Sequence, residues 1–412
     1  MIKKSTYLSA FAEKSFLSLF LFLLVSTILN SQNDAKNCFE STDYYDQEQQ
    51  EALEIFTQNY IANYSQNARS RGKITIPVVV HIVTQGMERG ITDEQVYSQI
   101  TALNRDFNRQ NKDLNIVHPD FQDRIATVGF NFCLATLDPD GHPTTGITRT
   151  QTFIDNIATP TNSWLYHTDL GGQDAWDSNK YLNIWVTQVT LGIAGFATNP
   201  GQKSPEEDGV VINPRFFGMC GLATPPFHLG RIGVHEVGHY FNLKHPFNNG
   251  CDGNDFVEDV PQQSNFYNDC PIGENISCGT RDITTNFMNY TDDACQAMFT
   301  KGQAMRMQAT LFGARSGLLN GNSCEPYFPT VSGAEIKIYP NPASYYFCVE
   351  VGNVPLEEIP YFIFNAQGAK VEEGIVQPNS RQHFPTYRNG VYFIQFMDGS
   401  KEGTVKKIVI NN

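Results

Sequence analysis

Apolar and polar positions divide the chain into four stretches of different texture. The first apolar run, Phe16–Leu29, is interrupted only by Ser18, Ser26 and Thr27 and follows Lys3, Lys4 and Lys14. A charged start, a run short for a bilayer span and the polar stretch Asn30 to Lys36 make a secretory signal over residues 1–31. An uncleaved N-terminal anchor is the alternative. No later apolar stretch reaches spanning length, so no stable membrane span is expected. Residues 32–70 are rich in Gln and Asn and predict one helix, Asp46 to Tyr60, with Leu53, Ile55 and Phe56 as its few apolar anchors. That is too little apolar surface to fold alone, and the segment ends at Arg69-Ser70-Arg71.

From Ile74 the pattern is that of a packed domain. Ile74-Thr-Ile-Pro-Val-Val-Val-His-Ile-Val83 reads as a buried strand of β-branched residues. Thr92-Asp-Glu-Gln95 has the spacing of a capping box, and Val96, Ile100, Leu103 and Phe107 continue it as one helical face to about Asn108. Val128–Leu137 and Tyr181–Val189 read as further strands, with short runs at Gly192–Ala197 and Gly209–Ile212. This order predicts a mixed α/β (α+β) domain with a twisted sheet over residues 71–330. After Glu335 short strands alternate with turns such as Asn365-Ala-Gln-Gly368 and Asp398-Gly399, which predicts a small all-β sandwich over residues 335–412.

Composition narrows the function classes. The formal charge of −14 argues against a nucleic-acid binder, which normally shows a basic stripe or a strongly basic domain. With 12% aromatic residues, 32 Gly and 21 Pro, the chain is neither disordered nor a coiled coil. Export makes the nine cysteines candidates for disulfides. Cys251, Cys270, Cys278 and Cys295 crowd one stretch and suggest two staples, with three pairings open. The odd total leaves at least one thiol over, and Cys38 stands isolated near the N-terminus.

The chemistry concentrates in Val234-His-Glu-Val-Gly-His-Tyr-Phe-Asn-Leu-Lys-His-Pro246. His235 and His239 share one helix face a turn apart, where two imidazoles can hold one metal, and Glu236 is placed to take a proton from a water there. His245 can be a third ligand only if the helix stops first, because six more helical residues rotate it by about 600°, off that face. A residue in left-handed backbone must intervene; asparagine is second only to glycine there, and Asn242 is in the right place. Three imidazoles with one open position make a catalytic zinc site. With nine His among 412 residues, His-Glu-x-x-His arises by accident about once per hundred such chains, and a third His at a fixed position lowers this to about two in ten thousand.

These residues resemble the signature of the metzincin metallopeptidases, with Asn242 at the position where that signature has glycine. Asn286-Phe-Met-Asn-Tyr290 resembles their Met-turn, which implies Met288 beneath the metal and Tyr290 beside it. Asp292-Asp-Ala-Cys-Gln-Ala-Met-Phe-Thr-Lys-Gly-Gln303, Tyr181-Leu-Asn-Ile-Trp185 and Gly209-Val-Val-Ile212 narrow the resemblance to the pappalysin family, over about Ile74 to Leu318. The resemblance implies a zinc endopeptidase acting on proteins or peptides, with Glu236 as general base and Tyr290 beside the oxyanion or purely structural. It also implies structural calcium on the loop Cys251-Asp-Gly-Asn-Asp-Phe-Val-Glu-Asp-Val-Pro261, with Asp255 and Asp259 as ligands. Val260 stands where threonine is frequent, and a solvated acidic loop is the alternative. The implied disulfides are Cys251–Cys278 and Cys270–Cys295.

The same resemblance gives Cys38 a latency role, its thiolate filling the open metal position until the pro-segment is cut, for which Ser70-Arg71 is the candidate. An incidental thiol, or a disulfide with Cys324, is the alternative. Relatives that cut before Arg or Lys suggest the same preference here, with Asp269 as a candidate specificity residue. Tyr339-Pro-Asn-Pro-Ala343, Asn389-Gly-Val-Tyr-Phe393 and Lys406-Lys-Ile-Val-Ile-Asn-Asn412 resemble the sorting domain of the type IX secretion pathway of Bacteroidetes. That implies the type IX secretion machinery as a partner and a secreted or cell-surface location. A generic carbohydrate- or protein-binding sandwich is the alternative for this module, and a surface adhesion protein with a purely structural zinc is the alternative for the whole chain.

Overall fold

The computed structural model describes residues 47–63, 74–86, 90–155, 157–190, 192–320 and, with short breaks, 335–411. The signal-like stretch, Cys38, Ser70-Arg71 and Cys324 lie outside the described residues. The chain begins with helix α1 (Gln47–Ala62) and strand β1 (Ile74–Gln85). Helix α2 (Asp93–Phe107) and strands β2 (Phe130–Leu134), β3 (Ile147–Thr152), β4 (Leu182–Val186), β5 (Gly195–Ala197) and β6 (Val210–Ile212) follow. Then come helix α3 (Arg231–Tyr240), the two-residue strands β7 (Ile276–Ser277) and β8 (Thr280–Arg281), and helix α4 (Lys301–Phe312).

Strand β1 organises the sheet, whose order is β2-β1-β4-β6-β5 with β3 also on β1. The first half of β1 pairs with β2, Ile74 opposite Phe130, and the second half with β3, Val80 opposite Ile147. All pairings are parallel except β5 with β6, which is antiparallel and ends the order. Ile76, Val78, Val80 and Ile82 point to one face, where they join Val96, Leu103 and Phe107 of α2 and Val234 and Val237 of α3. Val79 and Val83 point to the other face, Val79 beside Tyr181 and Val83 beside Trp185 and Phe196. Period-two alternation between two covered faces explains why the strand is apolar at nearly every position. His81 sits among these residues because its ring nitrogens meet Thr148 Oγ1 at 2.8 Å and Asn183 Oδ1 at 3.0 Å. Burial lowers its pKa to about 4, so it stays neutral.

The N-cap of α2 forms in part as expected. Thr92 Oγ1 accepts from Gln95 N at 3.2 Å, but the Gln95 side chain donates to the carbonyls of Pro214 and Phe217 rather than closing the box. Helix α1 differs in its anchors: Ile55 is 63% exposed, whereas Thr57 and Tyr60 are buried. A short amphipathic helix is positioned by what it docks against: of the expected anchors Ile55 faces solvent, while Phe56 packs on Gly313.

The C-terminal strands are β9 (Glu335–Tyr339), β10 (Tyr346–Gly352), β11 (Ile359–Asn365), β12 (Lys370–Val376), β13 (Ser380–Pro385), β14 (Gly390–Phe396) and β15 (Thr404–Ile410). They form two antiparallel sheets, β13-β10-β9 and β12-β11-β14-β15, around one core that includes Phe347, Val349, Ile363, Phe396 and Ile408, as a β-sandwich does. Asn341 ties the Pro-Asn-Pro segment to the last strand: its Nδ2 donates to Lys407 O and its Oδ1 accepts from Val409 N, both at 2.9 Å. No helix among the described residues is long and apolar enough to cross a membrane.

Phe107 is fully buried against Phe130, Phe132 and Phe299 where α2 crosses the sheet. Phe107→Ala should therefore cost about 3–5 kcal/mol, measured as a drop in the urea midpoint and thermal midpoint of unfolding.

Candidate metal centre

Helix α3 carries the cluster, and its start is pinned by charge. Arg231, 1% exposed, pairs with Asp113 Oδ2 at 2.6 Å, lies 3.5 Å from Asp106 Oδ2 and donates to the carbonyl of Asp293. The Asp293 carboxylate accepts from Leu229 N at 2.6 Å, and burial raises its pKa to about 6. A buried arginine shared among three acidic residues fixes the first turn of the helix against α2 and against the loop beyond Tyr290.

The helix ends where the spacing requires. Asn242 has φ +69°, its N–H donates to His239 O at 2.8 Å, and Leu243 N donates to Gly238 O at 3.0 Å. The chain reverses there and brings His245 back to the ligand face.

His235, His239 and His245 are all buried, with Nε2–Nε2 separations of 3.1, 3.1 and 3.0 Å. His235 Nδ1 faces the carbonyl of Phe287 and His239 Nδ1 that of Leu243, each at 2.8 Å. A carbonyl only accepts, so both Nδ1 atoms carry the proton and both Nε2 atoms present lone pairs to each other. Burial and the neighbouring imidazoles hold His235 well below its ordinary pKa, so protonation does not relieve the clash. Converging lone pairs in a buried space need a cation, and this donor set fits one.

The residues around the cluster are placed as follows. Glu236, 1% exposed, lies beside β5, where a Cβ on Gly195 would come within 3.1 Å of the carboxylate. Met288 is fully buried against α3 at Gly238, where a Cβ would meet its Sδ at 2.5 Å. The Tyr290 ring lies 4.9 Å from His245 and 5.7 Å from His235. Cys251 is bonded to Cys278 and Cys270 to Cys295. Asp255 is buried, with Oδ1 accepting from Val257 N and Oδ2 without a hydrogen-bond partner; burial raises its pKa to about 7. Asp259 instead accepts from Thr300 Oγ1 at 2.6 Å and Gly302 N at 2.9 Å at the start of α4, so its oxygens are already engaged. Asp269 is exposed, with φ +55°, and its carbonyl accepts from Asp292 N at 2.9 Å.

Several supports went unnoticed in the sequence. Asn286 Oδ1 accepts from Met288 N at 2.9 Å, and Asn286 exchanges two amide hydrogen bonds with Gln303 of α4. Phe247 stacks on His245 at 4.7 Å, and Phe266 lies 5.4 Å from Tyr290. Gly238 between the two ligands was the one local signal: a helical glycine marks close packing.

Comparison with known proteins agrees with this geometry. The peptidase family described by pregnancy-associated plasma protein-A matches residues 166–312, and the secretion system C-terminal sorting domain matches residues 337–411. An extracellular metalloprotease of Verticillium alfalfae is 32% identical over 254 residues, 60% of this chain and 78% of that protein. The chain belongs to the pappalysin family of metallopeptidases. Mature mirolysin of Tannerella forsythia, solved with a cleaved peptide, is 36% identical with a TM-score of 0.59, covering 62% of this chain and 100% of that one. A promirolysin mutant from the same organism is 35% identical with a TM-score of 0.59, covering 68% and 97%. The chain is thus a secreted metalloendopeptidase with peptide substrates and a C-terminal sorting domain of the type IX pathway.

Asn242 has a testable backbone role. Asn242→Gly should leave metal content and stability near the parent, whereas Asn242→Ala should cost about 1–2 kcal/mol and lower metal content, read by thermal unfolding and metal analysis.

Proposed function

We propose that the chain is a zinc endopeptidase in which Glu236 is the general base. The observation that carries this reading is the convergence of His235, His239 and His245 with two Nε2 lone pairs fixed by carbonyls on the opposite ring edge. A zinc held at ~2.0–2.1 Å in tetrahedral geometry separates its ligands by about 3.3 Å, near the 3.0–3.1 Å spacing here. When bound, zinc would supply a Lewis acid for the scissile carbonyl and lower the pKa of a water.

The protein's own residues do the rest. Strand β5 ends the sheet beside α3, so an extended substrate would add to its outer edge by main-chain pairing and lie across Glu236. Glu236 takes the proton of the attacking water on its carboxylate and delivers it to the leaving amine. The Tyr290 hydroxyl faces the oxyanion or serves the ring cluster around His245. A preference for Arg or Lys just after the scissile bond would draw on Asp269, anchored through Asp292 to the loop following Tyr290.

Residues 1–31 would be the signal peptide, 32–70 the pro-segment, 71–330 the catalytic domain and 335–412 the sorting module. Cys38 would block the metal until cleavage near Ser70-Arg71. A calcium ion would bind the loop around Asp255, whose buried Oδ2 has no hydrogen-bond partner, with Asp259 nearby.

Glu236→Gln should abolish turnover while leaving metal content unchanged, and a chelator should abolish turnover of the parent. Mass spectrometry of peptides from a denatured-protein digest reads both effects and the residue after each cut; proteolysis by Glu236→Gln would sink the assignment.

The cation on Asp255 has its own signature. With its folded-state pKa raised to about 7, against ~3.9 unfolded, the Asp255 contribution is fully present below pH ~4 and lost as pH rises through 7. A divalent cation taken by the ionised form reverses that loss. Calcium should therefore raise the thermal midpoint more at pH 8 than at pH 5.5, and Asp255→Asn should remove the difference.

A further inference from the structure

Helix α1 and the turn that presents His245 are joined by one side chain. Arg306, on α4, is 2% exposed. Its Nε donates to the carbonyl of Asn242 at 2.7 Å, at the left-handed residue that sends the chain back to His245. Its Nη1 pairs with Glu54 Oε2 of α1 at 2.8 Å, and its guanidinium lies 5.4 Å from the Phe256 ring. The same charge acts to lower the pKa of Asp255, against the larger effect of burial.

Helix α1 is held over Arg306 by fitted contacts. Tyr60 stacks on Phe312 at 6.0 Å and 15°, and Phe56 lies against Gly313, where a Cβ would come within 2.5 Å of its ring. Thr57 is fully buried, although α1 has few apolar residues. The end of α4 thus offers an aromatic seat and a glycine socket, and its middle a buried cation. These meet Glu54, Phe56 and Tyr60, which flank the buried Thr57.

We propose that Arg306 is a positioning residue for the Asn242–His245 turn, and that helix α1 acts on the metal centre through it. Arg306 is buried whereas the Glu54 side chain is 26% exposed, so it is the guanidinium that loses its counter-ion inside the protein when the carboxylate is removed, and a buried charge left unpaired is destabilising. With α1 docked, Glu54 holds Arg306 against the Asn242 carbonyl, and the third imidazole is fixed. With α1 gone, Arg306 loses the Glu54 carboxylate and its hold on the turn loosens. Docking of α1 therefore reaches the metal site from behind the helix, independently of any thiolate placed on the metal itself. This inference rests on the pro-segment and metal-site reading above.

The test uses the full chain carrying Glu236→Ala, so that self-cleavage does not intervene. Hydrogen exchange across residues 240–246 and the rate of zinc loss to a colorimetric chelator are compared for Glu54→Gln, Tyr60→Ala, Arg306→Lys and their pairs. Glu54→Gln should speed both readouts roughly tenfold or more, with the exchange effect confined to that turn and the α1–α4 contact. On the Arg306→Lys background, Glu54→Gln should add little, because both changes break one linkage. Glu54→Gln that loosens α1 while leaving residues 240–246 and zinc loss unchanged would overturn the proposal. Additivity of Glu54→Gln with Arg306→Lys would do the same. Because neither readout needs turnover, a chain that cleaves nothing with Glu236 intact would defeat the protease reading and leave this result standing. A cleaving chain with unmoved exchange would defeat only this one.

Discussion

Three imidazole nitrogens held within about 3 Å of one another in a buried space are the constraint on which the rest of the catalytic domain depends. Left alone, such an arrangement repels itself, since two of the three lone pairs are fixed by Nδ1–H donation to the carbonyls of Phe287 and Leu243. The chain must therefore hold the rings in place before any cation arrives, and each neighbouring element serves that end. Arg231 fixes the start of α3, Asn242 ends it, Met288 fills the space against Gly238, and the Asn286–Gln303 amide pair ties the Met288 turn to α4. Preorganisation of this kind lets a metal bind without ordering its ligands at the same moment.

The sheet sets where the chemistry faces. Parallel pairing around β1 demands cover on both faces, so α2 and α3 lie on one side and the Tyr166–Trp185 cluster on the other. Only the antiparallel β5 departs from this pattern, and it is the strand next to Glu236. On the proposed function, this short edge strand beside α3 would give an extended peptide a backbone to pair with. The sorting module keeps its own core in two antiparallel sheets, so export and catalysis place separate demands on the sequence.

Much of the fold was legible where one local rule sufficed. The run Ile74–Val83 could only be a strand buried on both faces, and the four-three-four spacing of Val96, Ile100, Leu103 and Phe107 could only be a helix. Strands β3, β10, β12 and β13 escaped notice, as did helix α4. Their residues alternate weakly or carry charge, as in Lys370–Val376, so their state is decided by the strand or helix they meet. Helix α1 shows the same limit, since the seat on α4 takes Phe56 and Tyr60 and leaves Ile55 exposed.

The sequence by itself determined that His235, His239 and His245 converge. The spacing of His235, Glu236, His239 and His245 is set by helix periodicity and by the one backbone reversal that Asn242 permits, and both are local. It also determined that the chain carries two modules of different texture. Only the tertiary structure decided what holds those residues in place: Arg231 among Asp106, Asp113 and Asp293, the amide pair of Asn286 and Gln303, and Arg306 between Glu54 and Asn242. Each joins residues far apart in the chain, and their pairing follows from how the helices and loops pack rather than from any local spacing.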